Sequence, residues 1–549
     1  MHLSLNIGFR QPSFEKKGKI FCNGMKIYSY IVSLFFFLLC FGTLFLSSSS
    51  FVNTQTAPKW YSFIFCSAAI LITFAICGIF SDIKKLRLNN LVLPFCLIIT
   101  TLCVVQALYG IAQYMRLFPA FGGHRITGSF DNPAGFAACL CTGFPFFFRF
   151  LTKKEKWIRS VFIGGMMIIG LAVLLSGSRA GMLTWVIVCF AGFSHLFRIS
   201  AKHKIIVGIF LAIPVTGLYF VKKDSADGRL LIWRCSWEMI KDKPVTGYGI
   251  GGFKAEYMNY QAKYFEEYPN SKQAMLADNV NRPFNEYIEL LVNYGLVGFL
   301  LFTLLLFYLI RAYKRNSGKT PLTHIACWCL TAVAVFAFFS YPLRYPFVWV
   351  MGLLSCSIIL FQGNNRRFLF KKVYISILIL LLMPMVCLKS YNRLSAEIRW
   401  CAVAHRSLAG QTKQMLPEYQ LLYSELQNNE LFLYNYAAEL NFAQCYKESL
   451  SVAHECERLW ADYDLQILMA DSYLQIKDYA AAEHYYWKAA TMCPVRFVPL
   501  YKLFQLYETI GDKENMRKTA KTIIDKPVKV MSPIVNQIKN EVKRKTDCL

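Results

Sequence analysis

NRPFNEYIELLVNYGLVG, residues 281–298, is where a long polar, Tyr-rich stretch beginning at residue 221 climbs directly into an apolar helix. Apolar runs flank that stretch on both sides, so it reads as a loop between two membrane spans. Loops of such length are uncommon and usually functional. Composition agrees: of 549 residues, 55% are hydrophobic and 16% aromatic, and the mean hydropathy is +0.36, well above that of a soluble chain. The expected fold class is all-α, a polytopic membrane helical bundle with one large extracytoplasmic loop.

A formal charge of +27 is large enough to suggest a nucleic-acid partner. In membrane proteins, however, Lys and Arg collect in short cytoplasmic loops. The distribution here follows that rule, so no nucleic acid is expected. Nineteen Cys are scattered along the chain, several inside apolar runs (Cys40, Cys66, Cys77, Cys189), and none forms a Cys-x-x-Cys pair. Neither a zinc site nor a disulfide framework is indicated.

A helix needs about 20 apolar residues to cross a bilayer. Eleven segments qualify, near 27–47, 60–80, 91–112, 134–150, 158–176, 180–197, 204–221, 290–310, 323–340, 345–361 and 373–389. The first lacks a small-residue cleavage site and is read as a retained helix. One set of connections, which includes the N-terminus, holds twenty-four Lys and Arg; the alternate set holds five, Lys59, Arg116, Arg125, Arg179 and Arg344. This bias puts residues 1–26 in the cytoplasm, with a membrane domain over 27–389. The loop 222–283 and the tail 390–549 then lie outside. The tail repeats itself: LNFAQCYKESLSVA from Leu440 is echoed by YLQIKDYAAAEHYY from Tyr473 and YETIGDKENMRKTA from Tyr507, at spacings of 33 and 34 residues. Such spacing is the signature of tetratricopeptide-type helix pairs stacked into a short solenoid.

Four of the five basic residues in the outer short connections are Arg. Arg stays charged in a partly dry site and grips phosphate oxygens in two places. Arg125 lies in GGHRITGSFDNPAG, Arg179 in LLSGSRAGML and Arg344 in SYPLRYP, with Arg229 in DGRLLIW of the long loop. Each alone fits an interfacial anchor; several converging would hold a polyanion at the membrane surface. His124, beside Arg125, is read either as a structural residue or as an aid to phosphate binding or proton transfer. Asp131, Asn132 and Pro133 are good helix-start chemistry.

Residues 247–252, GYGIGG, satisfy the dinucleotide pattern G-x-G-x-x-G, but that motif requires a preceding strand. Here an amphipathic helix precedes it, with Leu231, Trp233, Trp237 and Ile240 on one side. The glycines are expected to turn the backbone against the membrane surface. Tyr248, Tyr257, Tyr260, Tyr264 and Tyr268 are read as sugar-stacking or interfacial rings. Asn285, Glu286 and Glu289 occupy the first turns of the entering helix, where carboxylates are favoured by the dipole and one is placed to accept a proton from an attacking hydroxyl.

In this order, GGHRITGSFDNPAGFAACL, LLSGSRAGML, RLLIWRCSWEMIKDKPVTGYGIGGF and FNEYIELLVNYGLVGFLLF resemble the O-antigen ligase and polymerase superfamily of bacterial surface-glycan assembly, over roughly residues 90–360. The resemblance implies a GT-C-like helical glycosyltransferase in the inner (cytoplasmic) membrane, with a periplasmic repeat domain at 390–549. Its donor would be a polyprenyl diphosphate-linked glycan and its acceptor a hydroxyl of lipid A core, a glycan or a protein, with no metal and no cofactor. Lipid A core ligation is the favoured expectation; surface polysaccharide polymerisation and protein O-glycosylation are the alternatives. A glycolipid transporter and a membrane-anchored repeat scaffold, docking a protein partner, are the rivals from other classes. Arg125, Arg179, Arg229, Arg282 and Arg344 would bind the diphosphate. Many members carry His where this chain has Phe284, which leaves Glu286, then Asp278, or His124 as the base, with Asn285 beside them.

Overall fold

The computed structural model describes residues 14–80, 89–200, 202, 223–316, 318, 320–361 and 369–547. Among these the chain is helical throughout, with no strand. The membrane region comprises α1 (Phe14–Phe45), α2 (Ala57–Phe80), α3 (Asn89–Tyr114), α4 (Pro133–Gly143), α5 (Lys156–Leu175) and α6 (Arg179–Leu196). After the loop helices α7 (Lys223–Asp242) and α8 (Gly252–Glu267) follow α9 (Glu286–Asn316), α10 (Pro321–Phe339), α11 (Pro346–Phe361) and α12 (Leu369–Arg406). Nine helices among the described residues are long and apolar enough to cross a membrane, and Pro346–Phe361 is a shorter apolar one. The expected span at 204–221 lies outside the described residues. The chain is thus an all-α, multi-pass membrane protein.

Local chemistry sets the helix starts. Pro133 stands in the first turn of α4, where its missing N–H costs nothing, and Asn132 caps it by accepting from Gly135 N at 2.9 Å. Helix α4 and its short continuation to Leu151 form the centre of the bundle, 89% buried, whereas the apolar part of α12 is 6% buried and faces outward. Lys59, fully buried at the start of α2, donates to three carbonyls, Leu46 O at 2.7 Å, Gln55 O at 2.9 Å and Ser129 O at 2.7 Å. It ties the end of α1 to the segment before α4 and satisfies all three of its protons.

Helix α9 is broken at Gly295, whose φ of 58° and ψ of −157° are open in practice to glycine alone. The break strands backbone groups that must find partners, and the glycine-rich loop supplies them. Tyr248 N donates to Val292 O at 2.9 Å and Gly249 N to Asn293 O at 2.8 Å; Leu296 N donates to Pro244 O at 2.8 Å and Val297 N to Val245 O at 3.1 Å. The Asn293 side chain also accepts from Phe253 N at 2.9 Å, at the start of α8. The glycines turn the backbone, as expected, and the turn also forms a backbone clamp between loop and span.

The buried stripe of α7 is Leu231, Ile232, Cys235 and Met239, packed on Phe253, Tyr257, Met258 and Phe265 of α8. This corrects the expected face: Trp237 is 55% exposed, and Trp233 is half-buried with its indole donating to Pro283 O at 2.9 Å. Helix α8 approaches along the neighbouring stripe of smaller side chains. Tyr257 is likewise core and hydrogen-bonded to Gln261.

Helix α12 runs without a break from the membrane into the C-terminal region, so no backbone interruption marks residue 390. There α13 (Thr412–Leu426), α14 (Glu430–Phe442), α15 (Tyr446–Glu457), α16 (Tyr463–Gln475), α17 (Tyr479–Met492), α18 (Val498–Ile510), α19 (Lys513–Asp525) and α20 (Pro533–Asp547) pack in succession. The three sequence echoes fall on three helix–turn–helix units whose turns carry a left-handed residue: Gln444 (φ 67°), Lys477 (φ 65°) and Gly511 (φ 77°). Only the last is glycine, so Lys477→Gly is expected to stabilise the chain by about 0.5–1 kcal/mol, read as a rise in the thermal midpoint. The loop and this region share a core: Ala461, Tyr463, Ala489, Met492 and Cys493 pack with α7 and α8.

Candidate functional site

A cavity of about 700 Å³ opens where α7, the segment 275–284 and the α10–α11 turn meet. Arg229 enters it from α7. Its Nη1 donates to Phe339 O, at the end of α10, at 2.9 Å, and its guanidinium lies 5.3 Å from the Phe284 ring centroid. Burial, and then the charge of Arg179, push Arg229 down to about 10. Among the described residues Arg229 forms no ion pair. Arg179 is the first residue of α6, whose cap Ser178 accepts from Gly181 N at 3.2 Å; its Nη2 donates to Ser225 Oγ at 3.0 Å, on the cavity wall one turn before Arg229. The charge of Arg179 thus disfavours the charged form of Arg229.

Arg344 enters from the turn between α10 and α11. Asp131 Oδ2 holds it at 2.8 Å, and the other oxygen of Asp131 accepts from Tyr345 OH at 2.9 Å. Asp131, Asn132 and Pro133 thus start α4 and position Arg344 as well. The turn's backbone is fixed too: Leu343 N donates to Glu286 Oε1 at 3.0 Å, and Leu343 O and Arg344 O accept from Trp349 at 2.7 Å and Trp60 at 3.2 Å. Arg282 completes the wall, 3.6 Å from Glu289 and over the Tyr341 ring at 5.9 Å.

Of the five arginines singled out in the sequence, Arg229, Arg282 and Arg344 therefore line one cavity, and Arg179 abuts it through Ser225. Arg125 and His124 are exposed and line a separate pocket with Arg116. Asn285 is the buried cap of α9, accepting from Tyr287 N at 2.9 Å and Ile288 N at 3.1 Å. Neither it nor Glu286 lines the cavity. Phe284 does, in a left-handed conformation (φ 55°) that is costly for a bulky residue. It serves as an aromatic platform for Arg229. The five loop tyrosines lie outside the lining, which includes Tyr341 instead.

Sequence reading missed Asp224, Ser225 and Lys529 as wall residues and Asp131 as a partner of Arg344. Asp131 had a local signal that its role as helix-start chemistry absorbed; Lys529, in the far tail, had none.

Residues 164–303 match the O-antigen ligase family model. The matched region runs from α5 into α9 and contains Arg179, Arg229, Arg282, Asn285 and Glu286. The match supports the O-antigen ligase superfamily and its ligase or polymerase type of activity. No curated protein and no solved structure matches the chain.

Proposed function

We propose that the chain transfers a glycan from a polyprenyl diphosphate carrier to an acceptor hydroxyl at the outer face of the inner membrane, without metal or cofactor. Arg229, Arg282 and Arg344 hold the donor diphosphate, with Arg179 at its edge. The observation that carries this reading is Arg229: a half-buried cation near a second cation, facing a cavity at the ends of the spans and forming no ion pair among the described residues. In one displacement the acceptor oxygen bonds to the anomeric carbon, the bond from that carbon to the diphosphate breaks, and its electron pair leaves with the diphosphate. The arginines neutralise the charge that develops there.

The hydroxyl proton passes to a carboxylate on the wall. Two acids line the cavity, Asp224 and Asp278. Burial lifts the Asp278 carboxyl, but hydrogen bonds from Arg496 and Asn279 N, together with the charges of Arg496 and Lys529, outweigh it and leave the group below its ordinary value, a poor base. Asp224 forms no ion pair among the described residues, and we assign it the proton. Glu286, bonded to the turn that carries Arg344, is a positioning residue.

The basic-residue bias orients the protein with its N-terminus cytoplasmic and its C-terminal region, read as tetratricopeptide-type repeats, in the periplasm. Lipid A core is the acceptor we favour. Purified protein in liposomes with a polyprenyl diphosphate oligosaccharide should consume the donor and label lipid A core. Donor consumption with none of lipid A core, a glycan or a protein acceptor would reject transfer; labelling of a glycan or a protein alone would reassign the acceptor.

A further inference from the structure

Helix α3 is apolar and long enough to cross the membrane over Leu91–Tyr114. One face of it, Leu93, Leu97, Thr101, Val105 and Leu108, is exposed at helical spacing, the side that a bilayer covers. Where this stripe reaches the end of the span it runs into two adjoining cavities. The first, of about 560 Å³, lies between α3 and the end of α1 and is lined by Phe45, Val105 and Tyr109. The second, of about 540 Å³, lies beyond the end of α3 and is lined by Tyr114, Arg116, His124 and Arg125. Gln113, Pro119 and Ala120 belong to both. The segment then runs on to Asp131, which holds Arg344. These cavities thus sit at the same end of the spans as the arginine site and share no residue with it.

Their common wall is fixed by one side chain. The buried Gln113 accepts at Oε1 from Thr127 N at 3.1 Å and Gly128 N at 2.7 Å, and donates from Nε2 to Pro119 O at 3.0 Å and Gly128 O at 2.9 Å. It pins residues 119–128 to α3. The helix itself ends in a Schellman turn, with Leu117 N donating to Ala112 O at 2.9 Å and Arg116 N to Gln113 O at 2.8 Å. That turn puts Arg116 at a φ of 64°, where glycine is the favoured residue. The helix dipole favours a cation near this end but does not require it at the strained position. Arg116 and Arg125 are exposed and form no ion pair among the described residues. No carboxylate lines either cavity. Beside Arg116, Leu117 and Phe118 are 69% and 52% exposed, so the rim is apolar and cationic at once.

We infer that the two cavities hold one anionic phospholipid of the surrounding bilayer. Arg116 and Arg125 receive its phosphate, which their planar guanidinium forks suit, and an acyl chain follows Phe45, Val105 and Tyr109 onto the exposed stripe of α3. A zwitterionic headgroup fits less well, because its ammonium would stand beside two unpaired arginines with no carboxylate to receive it. The site is separate from the arginine cavity, and its occupancy does not depend on the transferase reading.

The full chain, purified in neutral detergent, is titrated with phosphatidylglycerol and with phosphatidylcholine of the same acyl chains, and bound lipid is counted by native mass spectrometry. The expected result is phosphatidylglycerol bound about tenfold more tightly, a preference lost in Arg116→Gly and kept in Arg116→Lys. Lipid-free Arg116→Gly should melt at or above the parent temperature, because glycine relieves the left-handed position, so misfolding cannot account for the loss. Equal affinity for the two lipids, or a preference unchanged in Arg116→Gly, would overturn the inference. So would displacement of phosphatidylglycerol by an equal concentration of inorganic phosphate, which marks a bare anion pocket, or tighter binding of an isoprenyl phosphate, which marks a substrate site.

Discussion

Arg229→Met is expected to slow glycan transfer about 100- to 1,000-fold, the range for loss of a group aimed at developing negative charge, while the ligand-free protein melts at the same or a higher temperature. Both halves follow from one observation. Arg229 is held near Arg179 and pushed down to about 10, first by burial and then by that neighbour. A basic group whose folded value lies below its ordinary value is disfavoured in its charged form by folding. At neutral pH the penalty is fully present, and it is relieved only as pH rises through about 10. An apolar side chain of similar length removes the penalty together with the charge. The loss should fall on kcat, because the leaving diphosphate gains its last charge in the transition state. Arg229→Lys should recover part of it, a point charge without the planar fork. Transfer within threefold of the parent by Arg229→Met, or a thermal midpoint that falls as activity falls, would contradict the assignment.

Arg344 and Arg179 stood out as candidates because four of the five basic residues in the sparsely basic set of short connections are Arg. Their grouping did not: Arg344 reaches the cavity only because Asp131, more than two hundred residues earlier, holds its guanidinium, while Arg125, close to Asp131 in sequence, faces a different pocket. Spans were legible from length and hydropathy. The tail's period was legible too, and its three echoes correspond to left-handed turns at Gln444, Lys477 and Gly511. Hidden from the sequence was everything decided by a partner surface. The stripe of α7 is chosen by α8 and the C-terminal region, and amphipathic spacing on a single helix leaves two adjacent stripes open. Phe284 carried a chemical signal by replacing an expected His, yet its use as a platform for Arg229 depends on a left-handed backbone that no local pattern announces.

The glycines of residues 247–252 show the same dependence in a form that substitution can measure. Gly247, Gly249 and Gly251 all have positive φ, 67°, 89° and 75°, so alanine at any of them costs about 1–2 kcal/mol in backbone conformation. Their surroundings differ. A Cβ on Gly247 would stand 2.5 Å from Val292 O and 2.6 Å from Asn293 O, and one on Gly295 would stand 2.4 Å from Val245 O; one on Gly249 meets nothing within 4 Å. The crowding atoms are backbone on both sides of the clamp and cannot swing aside. Relieving the overlap must separate the loop from α9 and strand the amides of Tyr248, Gly249, Leu296 and Val297, which now bond across the break. Gly247→Ala and Gly295→Ala are therefore expected to destabilise the protein by at least about 3 kcal/mol, against about 1–2 kcal/mol for Gly249→Ala. Thermal unfolding in detergent orders the three variants. Equal melting of Gly247→Ala and Gly249→Ala would show that these glycines serve only to turn the chain. A large gap would show that they let two backbones meet, and that the wall bearing Arg282 and Phe284 is anchored there to the broken span.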